Sequence, residues 1–325
     1  MGYTNFPHGI TSFGVPVMPV SGLGPGEVFH LVAAKASTDP YYYWLYKQGV
    51  ADSHIFSTLA SAYTNCTTNQ GDNILVYPGT YTTTSELDWD KDNTTVYGMG
   101  GPQHSGFDMG TIITTTTATV GAVIHNTADK TKWFNVTISN QGAAATALTA
   151  FHNAGPGTRM VGCQIVGMLG ATACDTALAS SLQISANGYY FYAENCVIGT
   201  VNGQPQGSDT NAPIYFSGTG LASDGMFRKC LIQTQIAAAT RPMIYVAAQS
   251  MGPGWIFDDC VLYAFAVNHA VAMNQAVSDA DIHTHDILFH NCAGINITDW
   301  KTDAGMVWSS SPDAGTAGGI AVAQT

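Results

Sequence analysis

Four charged residues, each within two positions of a regularly spaced cysteine, are the first candidates for acid–base chemistry: Glu194, Arg228, Asp258 and Asp259. Glycoside hydrolysis needs two carboxyl groups about 5 to 9.5 Å apart. A turn is the simpler interpretation of the Asp-Asp pair, because Asp tolerates the left-handed backbone of a tight corner. We therefore expect no catalytic site and keep these four residues as the alternative.

The segment DADIHTHD, residues 279–286, has the sequence's most metal-like spacing. In an extended chain His283 and His285 lie on one face with Asp286 beside them, and imidazole and carboxylate groups bind divalent metals. Such clusters are commonly solvated loops, so we expect neither a metal nor a cofactor and keep these three residues as the alternative. No Gly-x-Ser-x-Gly or P-loop motif supports acyl or phosphoryl transfer.

Five of the seven cysteines recur at intervals of 30 to 34 residues, each after a short apolar run. They are Cys163, Cys196, Cys230, Cys260 and Cys292. A period of this length is typical of a solenoid, in which each unit stacks on the previous one and buries a continuous core.

Each repeat unit predicts two strands joined by a sharp corner. The cysteine and the aliphatic residue two positions later share one face of a strand, since side chains alternate with period 2. The residue three positions before the cysteine has the wrong phase unless the chain bends between them. Polar pairs such as Glu194-Asn195 and Asp258-Asp259 suit that bend. We expect inward ladders of cysteine and aliphatic side chains.

The cysteine ladder predicts packing rather than chemistry. Free cysteine is among the most buried residue types, and no C-x-x-C pair suggests zinc. An odd count of seven favours free thiols and a reducing compartment. Cys66 and Cys174 stand outside the period, so an intersubunit disulfide at either remains open.

Composition limits the partners. The net charge is −12, only 10% of residues are charged, and three are arginines, so no basic patch for nucleic acid can form. No apolar stretch of about 18 residues predicts a membrane span. The N-terminus lacks the basic and apolar regions of a signal peptide. A weakly charged surface on a protein made in the host cytoplasm is consistent with a virion component.

The two ends of the chain are predicted to form arms that flank one long domain. We expect an extended arm over residues 1–35, a solenoid with a cap over 36–305 and a tail or cap over 306–325. Pro and Gly forbid helix in the N-terminal arm, whose apolar residues need a surface to cover. The candidate anchors to a partner are Phe6, Phe13, Val15 and Val17.

A predicted helix from Ser53 to about Cys66 is followed by GDNILVYPGTYTTTSELDWDKDNTTVYGMGGP, residues 71–102. A helix, a strand ending in Pro-Gly-Thr-Tyr and a strand ending in a Gly-rich turn resemble the opening of right-handed parallel β-helix proteins of the pectin-lyase-like superfamily. The resemblance covers about residues 53–300. It implies an all-β, single-stranded solenoid whose open end is covered by the helix.

The same resemblance leaves function open, because this scaffold carries lyases, hydrolases and inert structural proteins. Of the polygalacturonase-like motifs only Asp258-Asp259 is present, and a pectate-lyase-like site would need a calcium cluster with an arginine base. We predict a structural protein of a tailed-phage virion, a homotrimer that decorates the outer shell and docks on the major capsid protein, or another virion protein, through its N-terminal arm.

The alternative is a tailspike-like protein that degrades or binds a host surface glycan, as a lyase or hydrolase. Aromatic side chains would then line a groove along the solenoid. The candidates are Tyr189, Tyr190, Tyr192, Tyr215, Trp255 and Tyr263.

Overall fold

The chain winds into three long parallel sheets. A computed structural model describes residues 11–12, 15–16, 25–101, 110–248, 250–266, 271–279, 287–301 and 307–310. Each turn places one strand in an eleven-stranded sheet, the next in an eight-stranded sheet and the third in a seven-stranded sheet, and the chain then returns to the first. The predicted all-β parallel β-helix is confirmed.

From Asn73–Val76 to Ala293–Ile295, the strands of the three long sheets follow this order. The eleven-stranded sheet contains Val28–Leu31, Ile55–Phe56, Asn73–Val76, Thr95–Gly98, Lys132–Phe134, Arg159–Val161, Tyr192–Glu194, Met226–Arg228, Trp255–Asp258, Ile287–His290 and Val307–Ser309. The eight-stranded sheet contains Gly79–Thr82, Thr111–Thr115, Thr137–Asn140, Gln164–Val166, Val197–Thr200, Leu231–Ile236, Val261–Ala266 and Ala293–Ile295. The seven-stranded sheet contains Leu87–Trp89, Ala122–Asn126, Thr149–Asn153, Ser180–Ser185, Ala212–Ser217, Ile244–Val246 and Val277–Asp279.

Two further strand pairs lie outside the three long sheets. Thr11–Ser12 pairs with Val15–Pro16 in antiparallel fashion. Met273–Gln275 pairs with Ile297–Asp299 in parallel fashion and adds to the C-terminal end of the solenoid.

The predicted corner between the eleven-stranded and eight-stranded sheets is present. The residue directly before four of the periodic cysteines has a left-handed backbone, with φ of 51° to 53°; these residues are Asn195, Lys229, Asp259 and Asn291. The corner shifts the side-chain phase by one residue, so both flanking strands point apolar side chains inward. Asp259 therefore has a backbone role.

The five periodic cysteines form an inward column. Each is at most 6% exposed, and its thiol donates to a carbonyl oxygen of the preceding rung; Cys260 Sγ, for example, lies 3.4 Å from the oxygen of Phe227. Burial and neighbouring thiols raise the pKa of Cys196 well above its usual value. All seven cysteines, including Cys66 and Cys174, are buried and unpaired. The column is a packing element of the core.

Beside the cysteines runs a stack of aromatic rings. The ring centroids of Phe227 and Phe257 are 4.7 Å apart with an interplanar angle of 6°, and Phe257 and Phe289 follow at 5.1 Å. Trp300 closes the stack 4.6 Å from Phe289. All four side chains are buried. Identical register on successive rungs places like residues above one another, and the stack follows from it.

The N-terminal cap differs in detail from the prediction. The helix spans Leu59–Asn65, and its N-cap is Thr58, whose hydroxyl accepts a hydrogen bond from the Ser61 amide. Ser53 lies instead in a 3-10 turn, Asp52–His54, because the next two residues form a strand that pairs with Val28–Leu31. The predicted start at Ser53 is therefore wrong.

Helical segments are few. Pro40–Lys47 forms an unpredicted helix capped by Asp39, which buries Leu45 and leaves Trp44 52% exposed. Ala171–Asp175 is a single short turn of helix. No helix in the described part of the chain is long and apolar enough to cross a membrane.

The sheets extend past the predicted 36–305 solenoid. Val28–Leu31 and Val307–Ser309 both belong to the eleven-stranded sheet. Of the candidate anchors, Val15 lies in the short antiparallel pair. Phe6, Phe13 and Val17 lie outside the described residues.

Removing one ring from the aromatic stack should destabilise the whole solenoid. Phe257 is fully buried between two other rings, so Phe257→Ala should lower the free energy of unfolding by about 3 to 5 kcal/mol. Leu221→Ala is the control, since Leu221 is 52% exposed. Urea denaturation measures both. Equal effects of the two substitutions would contradict the packing assigned to the stack.

Stability should also fall in acid because of a buried imidazole. Burial, with a contribution from His54, lowers the pKa of His30 to about 4, whereas an unfolded histidine titrates near 6.5. Between these values the unfolded chain binds a proton that the folded protein does not, so stability is lost as pH falls from about 6.5 to about 4, by at most about 3 kcal/mol.

Urea denaturation at pH 7 and pH 4.5 measures that loss. His30→Gln retains a polar partner for the Tyr77 hydroxyl, which lies 3.3 Å from His30 Nδ1, and should reduce the acid-dependent loss. His290→Gln removes an exposed imidazole and is the control. An unchanged loss in His30→Gln would exclude His30 as its source.

Candidate functional site

One row of outward side chains crosses all seven strands of the seven-stranded sheet, and we call it the outer row. Its neighbours along each strand point into the core; Ile124 and Phe151, for example, are fully buried. Parallel pairing aligns the members directly with one another. In chain order they are Asp88, His125, His152, Gln183, Tyr215, Tyr245 and Ser278.

The first end of the outer row is an acid–imidazole cluster. His125 Nδ1 lies 3.2 Å from Asp88 Oδ1 and 3.5 Å from Glu86 Oε1. Glu86 is held in place because its other carboxylate oxygen accepts a hydrogen bond from the Ala122 amide at 2.9 Å. The two carboxylates therefore orient the His125 ring.

The next rung adds a second imidazole and a hydroxyl. The His152 ring stacks on His125, with centroids 4.5 Å apart and an interplanar angle of 15°. On its other side His152 Nε2 lies 3.0 Å from Ser185 Oγ. Burial, together with the charge of His125, lowers the pKa of His152 to about 4. The neutral form of His152 is therefore favoured at pH 7, and in the tautomer that carries its proton on Nδ1 the Nε2 atom can accept the proton of Ser185.

This arrangement has the geometry of an activated nucleophile. A hydroxyl and a neutral imidazole within about 3.2 Å can form a nucleophile–base pair when the base is oriented by other groups. Here the stacked His125 supports the His152 ring, and Asp88 and Glu86 orient His125 in turn. The cluster can carry out nucleophilic or general acid–base chemistry on a bound molecule.

Past the cluster, the outer row is uncharged. Gln183 Nε2 donates to Ser217 Oγ at 2.7 Å, and the rings of Tyr215 and Tyr245 lie 5.8 Å apart. Ser278 ends the row at a cavity of about 410 Å³. That cavity is lined by Asp209, Thr240, Asn274, Gln275, Ser278, Thr298 and Asp299.

Glu86, Asp88 and His125 could also hold a divalent metal. One ligand atom from each lies within 4.8 Å of the others, and two carboxylates with an imidazole suit such an ion. The metal candidates taken from the sequence, His283, His285 and Asp286, lie outside the described residues.

Three of the predicted catalytic alternatives form a different row, on the outer face of the eleven-stranded sheet. Glu194, Arg228 and Asp258 pair in register with one another and then with His290. Arg228 Nε lies 3.4 Å from Asp258, and His290 Nδ1 lies 2.7 Å from the same carboxylate. The fourth, Asp259, is in the corner. Arginine thus separates the two carboxylates in this row, and each acid is compensated by a basic neighbour.

The predicted aromatic groove does not form as one surface. Trp255 is fully buried, with its indole nitrogen donating to the Ala222 carbonyl at 2.9 Å. Tyr192 lies on the eleven-stranded sheet, Tyr263 on the eight-stranded sheet and Tyr215 in the outer row. Tyr189 and Tyr190 stand in the turn after Ser180–Ser185. These residues therefore face three directions. The prediction of one groove did not use the alternation of side chains between the two faces of a strand, which would have separated them.

Sequence reasoning missed the cluster of Asp88, His125, His152 and Ser185. These four residues are far apart in the sequence: 27 to 37 residues separate those that contact one another from neighbouring strands. Because that separation is close to the repeat period, the repeat itself was the available signal. The sequence contains no Gly-x-Ser-x-Gly motif around Ser185, so the Ser185–His152 contact is visible in the structure alone.

Solved structures with similar folds are carbohydrate esterases. A pectin methylesterase from Aspergillus niger is 17% identical, with a TM-score of 0.53 over 92% of this chain and 88% of that chain. One from Erwinia chrysanthemi is 14% identical, with a TM-score of 0.52 over 89% and 90%. A pectin methylesterase variant in complex with a hexasaccharide is 15% identical, with a TM-score of 0.56 over 89% and 90%. No family model and no curated protein matches the sequence.

These neighbours overturn the expectation that the chain is not an enzyme. That expectation relied on missing hydrolase and lyase motifs, whereas proteins sharing the fold over most of both chains are esterases with few identical residues. A virion role has no support from them. At 14–17% identity the similarity establishes architecture alone: this chain has a right-handed parallel β-helix fold, as these pectin methylesterases do.

Proposed function

We propose that this protein is a polysaccharide-modifying enzyme that hydrolyses ester groups carried by an elongated glycan. The observation that carries the proposal is the Ser185–His152 contact of 3.0 Å within the outer row. An ester needs a nucleophile and a proton acceptor side by side, and the contact supplies both. The esterase activity named for structurally similar proteins is consistent with this reaction class.

The reaction follows from the two side chains. Ser185 Oγ forms a bond to the ester carbonyl carbon while its proton passes to His152 Nε2. The bond to the alcohol oxygen then breaks, and that oxygen takes the proton from His152. Water, deprotonated by the same imidazole, attacks the acyl carbon; the bond to Ser185 Oγ breaks, Oγ takes the proton from His152, and the acid is released. His125 lies against His152 as a positioning residue, and Asp88 and Glu86 hold it there.

The remainder of the outer row offers a binding surface for a chain-like ligand. Neighbouring strands in a sheet are about 4.8 Å apart, so the six steps from Asp88 to Ser278 span about 29 Å. Gln183 and the Tyr245 hydroxyl can hydrogen-bond to sugar hydroxyls, and the Tyr245 ring provides an apolar face. An elongated polysaccharide fits such a row better than a small ester does.

Replacing the nucleophile or its base should abolish ester hydrolysis. Ser185→Ala and His152→Gln should each lower kcat/KM at least 100-fold on an acylated polysaccharide, measured as acid released, because either change removes the proton-transfer pair. Thermal unfolding would show that both variants are folded.

The matched controls leave the outer row intact. Ser223→Ala removes a hydroxyl from a turn, and His290→Gln removes the imidazole that contacts Asp258 on the eleven-stranded sheet. Both should retain activity. A serine-directed fluorophosphonate should label Ser185 in the wild-type protein. Full activity of Ser185→Ala, or loss in His290→Gln alone, would place the chemistry elsewhere.

The homotrimer, the docking partner and the virion surface location remain predictions from the sequence. These three predictions are compatible with a glycan-directed enzyme. A tailspike-like protein, the alternative drawn from the sequence, would be a virion component and would also act on or bind a glycan. An apolar run on the outer face of the eleven-stranded sheet, Met226, Ile256 and Leu288, supports contact between copies. Light scattering on the purified chain measures the oligomeric state.

A further inference from the structure

The seven strands that carry the outer row contain no lysine or arginine. Its acidic end is open to solvent, because the Asp88 side chain is 75% exposed and that of Glu86 38% exposed. His125 contacts both carboxylates and can offset at most one of their two charges, so this end of the sheet surface keeps a negative potential, which repels anions over roughly a Debye length.

The other end of the outer row, at Ser278, also carries negative charge. The cavity at Ser278 includes Asp209 and Asp299 in its lining. Arg241 stands beside it, but its guanidinium contacts Asp209 and donates to the carbonyl oxygens of Gln206 and Gly207 at 3.0 Å each. Arg241 thus compensates the charge of Asp209, one of the two acids in the lining. Its N–H groups donate to protein atoms rather than to a ligand.

Three of the ten basic residues lie in strands of another sheet, and Lys130 stands exposed in the turn after Ala122–Asn126. Lys132, Arg159 and Arg228 all lie in strands of the eleven-stranded sheet. In the turns that follow the seven-stranded sheet, Lys91 donates to three carbonyl oxygens at the end of the capping helix. The strands of the outer row therefore contribute no lysine or arginine that could pair with a sugar carboxylate.

We infer that the polysaccharide bound along the outer row carries no negative charge on its sugar units. This inference rests on the proposed function. A polyuronate would place carboxylates along a surface with Glu86 and Asp88 at one end and the acidic cavity at the other, and the strands of this row contain no arginine or lysine to pair with them. The ester is then an acyl group on a sugar hydroxyl, because hydrolysis of a uronate alkyl ester would leave a carboxylate on the sugar at this face.

The test compares two hexasaccharides, mannohexaose and hexagalacturonate, by calorimetric titration of the full chain at 20 and 300 mM NaCl. Mannohexaose should bind with little dependence on salt. Hexagalacturonate should bind at least tenfold more weakly at 20 mM, and the difference should shrink at 300 mM as charges are screened. Asn274→Lys adds a cation to the exposed cavity lining and should narrow the difference at low salt. Ser223→Lys, with the same charge change in the segment before Met226–Arg228 and outside the cavity lining, should leave it unchanged.

The outcomes separate this inference from the proposed function. Equal or tighter binding of hexagalacturonate, together with Ser185-dependent ester hydrolysis, would overturn the charge inference and leave the enzyme assignment standing. Ester hydrolysis that survives Ser185→Ala, with neither hexasaccharide bound, would overturn both. Preference for mannohexaose that shifts in Asn274→Lys and not in Ser223→Lys would support the inference.

Discussion

In-register parallel pairing is the constraint on which this structure depends. Every residue of a strand lies directly beside its counterpart one rung away, and no turn of the chain can change its phase without disturbing both neighbours. The left-handed residue at each corner shifts the side-chain alternation by one residue in the same way on successive rungs, so the rungs stay aligned as the chain passes between sheets. Columns of like residues form as a result, thiols and rings inside and polar side chains outside.

The same constraint builds the candidate site. Asp88, His125, His152 and Ser185 have no local sequence relationship, yet successive rungs bring them into one chain of contacts between 3.0 and 4.5 Å. The buried stacks beneath them limit how far the strands can move. The core ladders therefore matter for chemistry as well as stability, since a shift of one rung would separate Ser185 from His152.

The sequence predicted the fold better than the site for a physical reason. Burial selects similar residues at every rung, so the cysteine column repeats visibly and predicts the corners, including that at Asp259. Outward positions are free to vary, so Asp88, His125, His152 and Gln183 share a row without sharing a residue type. The sequence prediction followed the visible cysteine repeat and therefore chose Glu194, Arg228 and Asp258. These residues precede the cysteines and form a charge-compensated row on a different sheet.

The N-terminal capping helix shows that the spacing of apolar residues alone can misplace the start of a helix. Ile55, Leu59 and Ala62 have helical periodicity, but pairing of Ile55–Phe56 with the sheet delays the helix to Leu59. Tertiary pairing here overrides a local pattern, because an unpaired sheet edge would cost more than one turn of helix supplies.

The most direct test of the central claim is a crystal structure of the Ser185→Ala variant with a neutral acylated oligosaccharide. The account predicts sugar density along the seven-stranded sheet, with an ester carbonyl beside residue 185 and His152 and further units extending past Tyr215 and Tyr245 toward Ser278. Density on the eleven-stranded sheet, against Arg228 and Asp258, would contradict it.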